Sequence, residues 1–279
     1  MNAPDKFIAT IKSIVKLALQ WRPTSIPRKD SNSNRIVIMA NGPSLATTIR
    51  EHTRLLTTCD TMAVNFAAVA PEFPELRPRY YVLADPHFFS GKQEPNLLKL
   101  QNKLRNIDWS MTLLVPGKYV KKARELYGDK IKICAFNAIG AEGFDAVCHF
   151  LFDKKMAMPR PRNVLIPSIM LAIAMGYTEI IITGADHSWM KTLSVNEHNE
   201  IVSIQPHFYK DNEHEHARIL HEYQGYHLYQ IVESFAIAFK SYVEIQNYAA
   251  SRGVTIINAT PESYVDAFPR AKAGELYCK

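Results

Sequence analysis

Seven short apolar runs, interleaved with six stretches of helical periodicity, constrain this chain more than any other feature. The runs fall at 36–40, 61–65, 80–84, 111–115, 131–135, 179–183 and 254–258. They are too short for helices and too continuously apolar for half-exposed strands, which predicts strands covered on both faces. Helical patterns lie near 45–57, 94–105, 117–127, 141–152, 167–176 and 226–252. Strand–helix alternation of this kind predicts an α/β fold with a doubly wound, mostly parallel Rossmann-like sheet. A chain of 279 residues that is 47% hydrophobic and 22% charged has ample material for such a core.

The ends of the chain read differently from its middle. Phe7, Ile8, Ile11, Ile14, Val15 and Ala18 recur at helical spacing, while Lys6, Lys12 and Lys16 fall away from them. Residues 1–34 therefore form an amphipathic helix followed by a Pro/Ser/Asn-rich linker, RPTSIPRKDSNSN. A basic helix of this type either lies on an anionic membrane surface or packs on the domain. The remaining divisions are a nucleotide-binding core at 35–190, a lid-like insertion at 191–225, and a C-terminal helix and strand at 226–279 completing the core.

Net charge +6 favours an anionic partner: a nucleotide, an acidic glycan or a phospholipid surface. Nucleic acid is not expected, because no RNA-binding aromatic motif, zinc finger or long basic block is present. No apolar run reaches the roughly 18 residues that span a bilayer. The four cysteines, Cys59, Cys134, Cys148 and Cys278, show no CxxC spacing, which favours a reduced, cytoplasmic setting over a zinc or disulfide framework.

Ligands of doubly wound sheets bind beyond the carboxyl ends of the strands. Polar residues stand at those ends here: Asn41 and Gly42 after the first strand, Asn65 in TMAVN, Asp85 after YYVLA, and Gly184 and Asp186 after EIIIT. In RIVIMANGPSL, Gly42 permits close backbone approach, Pro43 fixes φ, and Ser44 is placed to cap a helix whose free N–H groups favour an anion. Neither GxGxxG nor a Walker A lysine loop occurs, which disfavours an ordinary NAD enzyme or P-loop ATPase. Seven histidines cluster between His187 and His227, at 187, 198, 207, 214, 216, 221 and 227. A catalytic base is expected among them. His214 and His216 lack the companions of a metal site, and HExxH is absent, so no metal is expected.

With these residues assembled, the chain resembles the bacterial sialyltransferases that build lipooligosaccharide termini. The matching pieces are NGPSL at 41–45, VNF around Asn65, DPHFF at 85–89 and SIMLAIAMGYTEIIITGADHSW at 168–189. Pterin pyrophosphokinase-like proteins and flagellin-modifying glycosyltransferases share the GPSL turn. The resemblance implies that Asn41, Gly42 and Ser44 hold the donor's phosphate and sugar and that Asn65 contacts the donor. Asp85 stands where that family has asparagine, and Gly184 and Asp186 would border ribose and base. Asn163 is the polar remnant of the family's Thr-Ser-Gly turn, and Ser188 replaces its tyrosine. The lid histidine aligns with either His227 or His207, with His187 left to assist the departing phosphate.

The function this implies is inverting, metal-independent transfer of a sugar from a nucleotide-activated donor to a cell-surface glycan or glycolipid acceptor. The donor sugar is expected to be sialic acid or a related acidic sugar, carried by cytidine monophosphate. No cofactor is required, and peripheral contact with an anionic membrane fits the first helix. Two alternatives stand beside it: an ATP- and Mg²⁺-dependent pyrophosphokinase-like enzyme, and a non-catalytic nucleotide-binding module.

Overall fold

The computed structural model describes residues 2–203 and 223–277. Its centre is a seven-stranded, all-parallel sheet in the order β5-β4-β3-β2-β1-β6-β9. The strands are β1 (Arg35–Met39), β2 (Asp60–Val64), β3 (Tyr80–Val82), β4 (Thr112–Pro116), β5 (Lys132–Phe136), β6 (Glu179–Thr183) and β9 (Thr255–Asn258). Each predicted strand is present, within a residue or two of its expected bounds. The chain winds outward from β1 to β5, returns to place β6 against the other side of β1, and finishes with β9 at that edge. The direction of winding thus reverses between β1 and β6, whose register pairs Arg35 with Glu179 and Met39 with Thr183.

Alternation along β1 shows why both faces are covered. Ile36 and Ile38 join a core that includes Leu165 and Ile169 of α7 (Leu165–Met175) and Tyr242 and Ile245 of α8 (Leu228–Ser251). Val37 and Met39 point the other way, into a core with Leu45, Leu55 and Leu56 of α2 (Ser44–Thr58). That second layer also holds Leu97, Leu100 and Leu104 of α4 (Pro95–Arg105). A strand buried on both sides has no polar face to alternate with, hence the unbroken apolar runs. Shorter helices α3 (Phe73–Leu76), α5 (Val120–Tyr127) and α6 (Asp145–Asp153) complete the connections.

The first helix, α1 (Ala3–Gln20), packs on the domain, but with the face opposite to the apolar one. Thr10 Oγ1 accepts from the Phe144 N–H at 3.0 Å, and Ser13 Oγ exchanges 2.9 Å hydrogen bonds with the backbone of Glu142. A Cβ at Gly143 would overlap Thr10, so the loop closes on the helix only because that residue is glycine. The linker then runs along the outer edge of the sheet. Ser25 N–H donates to the Ala135 carbonyl at 2.9 Å, and Ala135 N–H donates to Ser25 Oγ at 2.7 Å, which covers part of the β5 edge.

A 3₁₀ turn at Ser188–Lys191 leads into the region expected to form a lid, 191–225, whose described part holds a small antiparallel hairpin, β7 (Ser194–Val195) with β8 (Ile201–Val202). His207, His214, His216 and His221 lie outside the described residues. Cys134 and Cys148 are free thiols. Cys59, expected to be reduced, is instead disulfide-bonded.

Candidate functional site

A cavity of about 710 Å³ opens beyond the carboxyl ends of the strands, spanning from the end of β5 to the β1–β6 reversal. It is lined by Asn41, Gly42, Asn65, Asp85, Asn163, Gly184, Asp186, His187 and Ser188, all singled out by sequence. Of the remaining sequence candidates, Ser44 borders a smaller adjoining recess with Asp186 and Ser188. His227 is not among the lining residues, and His207 is not described.

The β1 and β6 ends interlock through their backbones. Gly42 N–H donates to the Gly184 carbonyl at 2.7 Å. A Cβ at Gly42 would overlap the Asp186 carboxylate, and one at Gly184 (φ +69°) would press on the Ala40 carbonyl. Both glycines are demanded by this approach. Ser44 does not cap α2: Pro43 holds the capping position and makes no side-chain bond there. The Ser44 hydroxyl is turned instead to Asp186 Oδ2 at 2.8 Å, and its N–H faces Oδ1 at 3.3 Å. The anion expected at the helix N-terminus is therefore supplied by the protein's own Asp186. Burial pushes that carboxyl above the usual aspartate range, against the opposing pull of Ser44's hydrogen bonds.

Asn41 donates through Nδ2 to the Val64 carbonyl at 3.1 Å, tying the ends of β1 and β2. Asn65 follows in the left-handed region (φ +50°), and its carbonyl accepts from the Tyr81 hydroxyl at 2.5 Å. Asparagine is among the few side chains at ease there. Its Oδ1 is buried and has no hydrogen-bond partner among the described residues. Asp85 caps the 3₁₀ turn Pro86–Phe89, accepting from His87 N–H at 2.8 Å, and stays exposed at the cavity mouth.

A second polar chain crosses the cavity floor. Asn163 Oδ1, just before the Val164 N-cap, accepts from the Leu165 N–H of the first turn of α7 at 3.0 Å and from the Tyr242 hydroxyl at 3.0 Å. That hydroxyl has given up its only proton, so the 2.6 Å contact from His187 Nε2 is an N–H donation to Tyr242. His187 is thereby the Nε2-protonated neutral tautomer. Burial lowers its pKa to about 3, so at neutral pH it carries no charge to offer a leaving phosphate. Its ring lies 4.3 Å from Trp189 between centroids, and φ is +51°. Asn163 Nδ2, like Asn65 Oδ1, is buried without a hydrogen-bond partner among the described residues.

His227 sits at the N-cap of α8, where its N–H donates to Gln230 Oε1 at 2.9 Å; it is exposed and stacks on Tyr229. The structure therefore does not bring it into the cavity. Its position just before a rigid helix is local capping geometry, indistinguishable in sequence from placement at a site.

Several lining residues escaped the sequence reading. Lys118 and Tyr119 follow β4 and Asn137 follows β5, so the strand-end rule extended to those two strands finds them. Asn137 is pinned to the linker: its Oδ1 accepts from Arg22 N–H at 3.1 Å and its Nδ2 donates to the Arg22 carbonyl at 2.9 Å. Leu19, Gln20 and Arg22 consequently form part of the cavity wall, and Arg162 adds another cation. His87, inside the DPHFF stretch, also lines the cavity and holds its Nε2 3.2 Å from Glu94 Oε2. Tyr242 had no signal, being one aromatic in a long apolar helix. Among the described residues, no group of three or more His, Cys, Asp or Glu side chains is placed to hold a metal ion.

A doubly wound parallel sheet with a cavity beyond its strand ends defines a Rossmann-like α/β protein whose cavity lies where ligands of such sheets bind. Over its whole length the chain is similar in structure to a MAf glycosyltransferase from Magnetospirillum magneticum AMB-1, with a TM-score of 0.53 and 10% identity. It spans 40% of that chain, and at such identity the likeness is one of fold. No family model and no curated protein sequence matches the chain.

Proposed function

We propose that the protein is a glycosyltransferase. It takes a sugar from a nucleotide-activated donor and passes it, with inversion and without a divalent ion, to a glycan or glycolipid of the cell surface. The sialyltransferase-like motifs favour an acidic sugar on cytidine monophosphate, and the glycosyltransferase fold of the structural neighbour supports the general class. The observation that carries the proposal is the pair of buried, unpartnered amide atoms, Asn65 Oδ1 and Asn163 Nδ2, in the wall of a cavity large enough for a nucleotide sugar. Buried polar atoms are costly without partners. One acceptor and one donor suit a ligand that presents both, as a pyrimidine base or sugar hydroxyls do.

The chemistry divides among the other lining groups. Arg22, Lys118 and Arg162 supply the positive charge that a departing nucleoside monophosphate needs as its bond to the anomeric carbon breaks. His187 is neutral, and its role is to hold Tyr242 and, through it, the Asn163 amide. His87, oriented by Glu94 through Nε2, leaves Nδ1 to take the acceptor hydroxyl proton as the acceptor oxygen bonds to that carbon. His227 is not placed for this, and His207 lies outside the described residues.

Thermal-shift titration tests the proposal, since a ligand of the native state raises its melting temperature. Cytidine monophosphate should stabilise the protein equally with and without chelator. Stabilisation by ATP only with Mg²⁺ would overturn it in favour of pyrophosphoryl transfer. Nucleotide binding with no sugar transfer to any glycan acceptor would point to a binding module.

A further inference from the structure

The apolar face of α1 is turned outward. Phe7, Ile8, Ile11, Ile14, Val15 and Leu19 are each between 46 and 73% exposed, while the inward face is made by Thr10, Ser13 and Leu17. A helix mounted by hydroxyls, with its hydrophobic side in solvent, is the reverse of ordinary surface amphipathicity. Six large apolar side chains on one side of an 18-residue helix, about 27 Å long, form a contiguous ridge. None of the described elements covers it.

We infer that this ridge docks on an anionic lipid surface and thereby holds the mouth of the cavity against a lipid-anchored acceptor. Charge selects this occupant. Lys12 and Lys16 border the apolar arc on the helical wheel, and Lys16 lies within electrostatic reach of Arg160 and Arg162, two cations against the one acidic neighbour, Glu142. A basic margin thus runs from the helix toward the cavity, where Arg162 is a lining residue. Apolar residues beside lysines match the boundary between acyl chains and anionic headgroups. A second copy of the chain would bring the same cations together, and the net charge of +6 opposes that pairing. Continuity with the site is direct: Leu19, Gln20 and Arg22, at and just after the end of the helix, are cavity wall. The lipid-anchored acceptor rests on the glycosyltransferase reading; the docking itself does not.

The test uses the full chain and vesicles without donor or acceptor. Wild-type protein should sediment with vesicles containing phosphatidylglycerol and much less with pure phosphatidylcholine. The variant Phe7→Ser/Ile11→Ser/Ile14→Ser changes only exposed positions, so its melting temperature should hold while partitioning falls about a hundredfold. Lys12→Gln and Lys16→Gln should each reduce it about fivefold, the effect vanishing at high salt. Absence of wild-type sedimentation, or equal sedimentation of wild type and triple variant, overturns the inference. So does a concentration-dependent dimer that the triple variant abolishes, because the ridge would then cover a second copy. Cytidine monophosphate titrated into the same samples separates the two proposals, since loss of nucleotide binding leaves the vesicle result intact and the reverse also holds.

Discussion

Ser44 Oγ donates a 2.8 Å hydrogen bond to Asp186 Oδ2, joining the first turn of α2 to the end of β6 across the point where the winding of the sheet reverses. The carboxylate also lies against Gly42, where any side chain would overlap it. Gly42→Ala should therefore cost about 1–3 kcal/mol by forcing Asp186 and the β1 turn apart. Urea melts of the two proteins measure this, and an unchanged midpoint refutes the interlock.

The same pair sets a pH dependence. Burial raises the Asp186 carboxyl in the folded protein, so between the ordinary aspartate value and the raised one the native state binds more protons than the unfolded chain. Stability from this group is present at low pH and declines as pH rises above the ordinary aspartate value and through the raised one. Asp186→Asn should flatten that decline. A variant with the same slope as wild type in pH-dependent melts means the carboxyl is not perturbed.

His187 works with the opposite sign. Its folded pKa is about 3 against an ordinary 6.5, so the neutral ring stabilises the fold above pH 6.5 and that contribution drains away as pH falls toward 3. Followed by NMR, its imidazole should still be neutral at pH 5. Titration near 6.5 would refute the enclosed neutral tautomer, and a rate profile that follows this histidine would restore it as a proton carrier.

Much of this architecture is legible in the residues. The continuous apolar runs fix seven strands because parallel strands covered on both faces have no polar alternation to blur them. The cavity follows from the rule that strand ends carry the site, which brings Asn41, Asn65, Asp85 and Asp186 forward at once. Other features are not legible for identifiable reasons. The outward face of α1 depends on two hydroxyls meeting the backbone at 142–144, a long-range contact with no local pattern. Ser44 has the composition of a cap but finds a stronger acceptor 142 positions away. His227 caps a helix and Tyr242 reaches the site, although sequence favours the histidine, since only the three-dimensional path decides which side chain arrives.

Asn163 offers the sharpest test of ligand recognition. Asn163→Asp keeps Oδ1 for α7 and for Tyr242 while replacing the unpartnered Nδ2 donor with an acceptor. Nucleotide affinity should drop about 10- to 100-fold with little change in melting temperature. Calorimetric titration decides it, and undiminished affinity removes Asn163 from the recognition set.

For catalysis, His87→Gln should lower turnover about 10²–10⁴-fold while leaving donor affinity near wild type, the pattern of a lost base. Glu94→Gln should act in the same direction through the orientation of the ring. His227→Ala should leave turnover within a few fold. If His227→Ala is the damaging change, the base arrives by a rearrangement of the α8 N-terminus.

The mounting of α1 separates two kinds of selective pressure. Its inner face, Thr10, Ser13 and Leu17, is answerable to folding, because those side chains hold the helix to the domain and their loss frees it. Its outer face makes no such contribution, so drift there toward polar residues meets no penalty from stability. Across a set of related sequences, the inner positions would vary as structure permits, whereas a ridge kept apolar at 7, 8, 11, 14, 15 and 19 would record an external surface acting on the lineage.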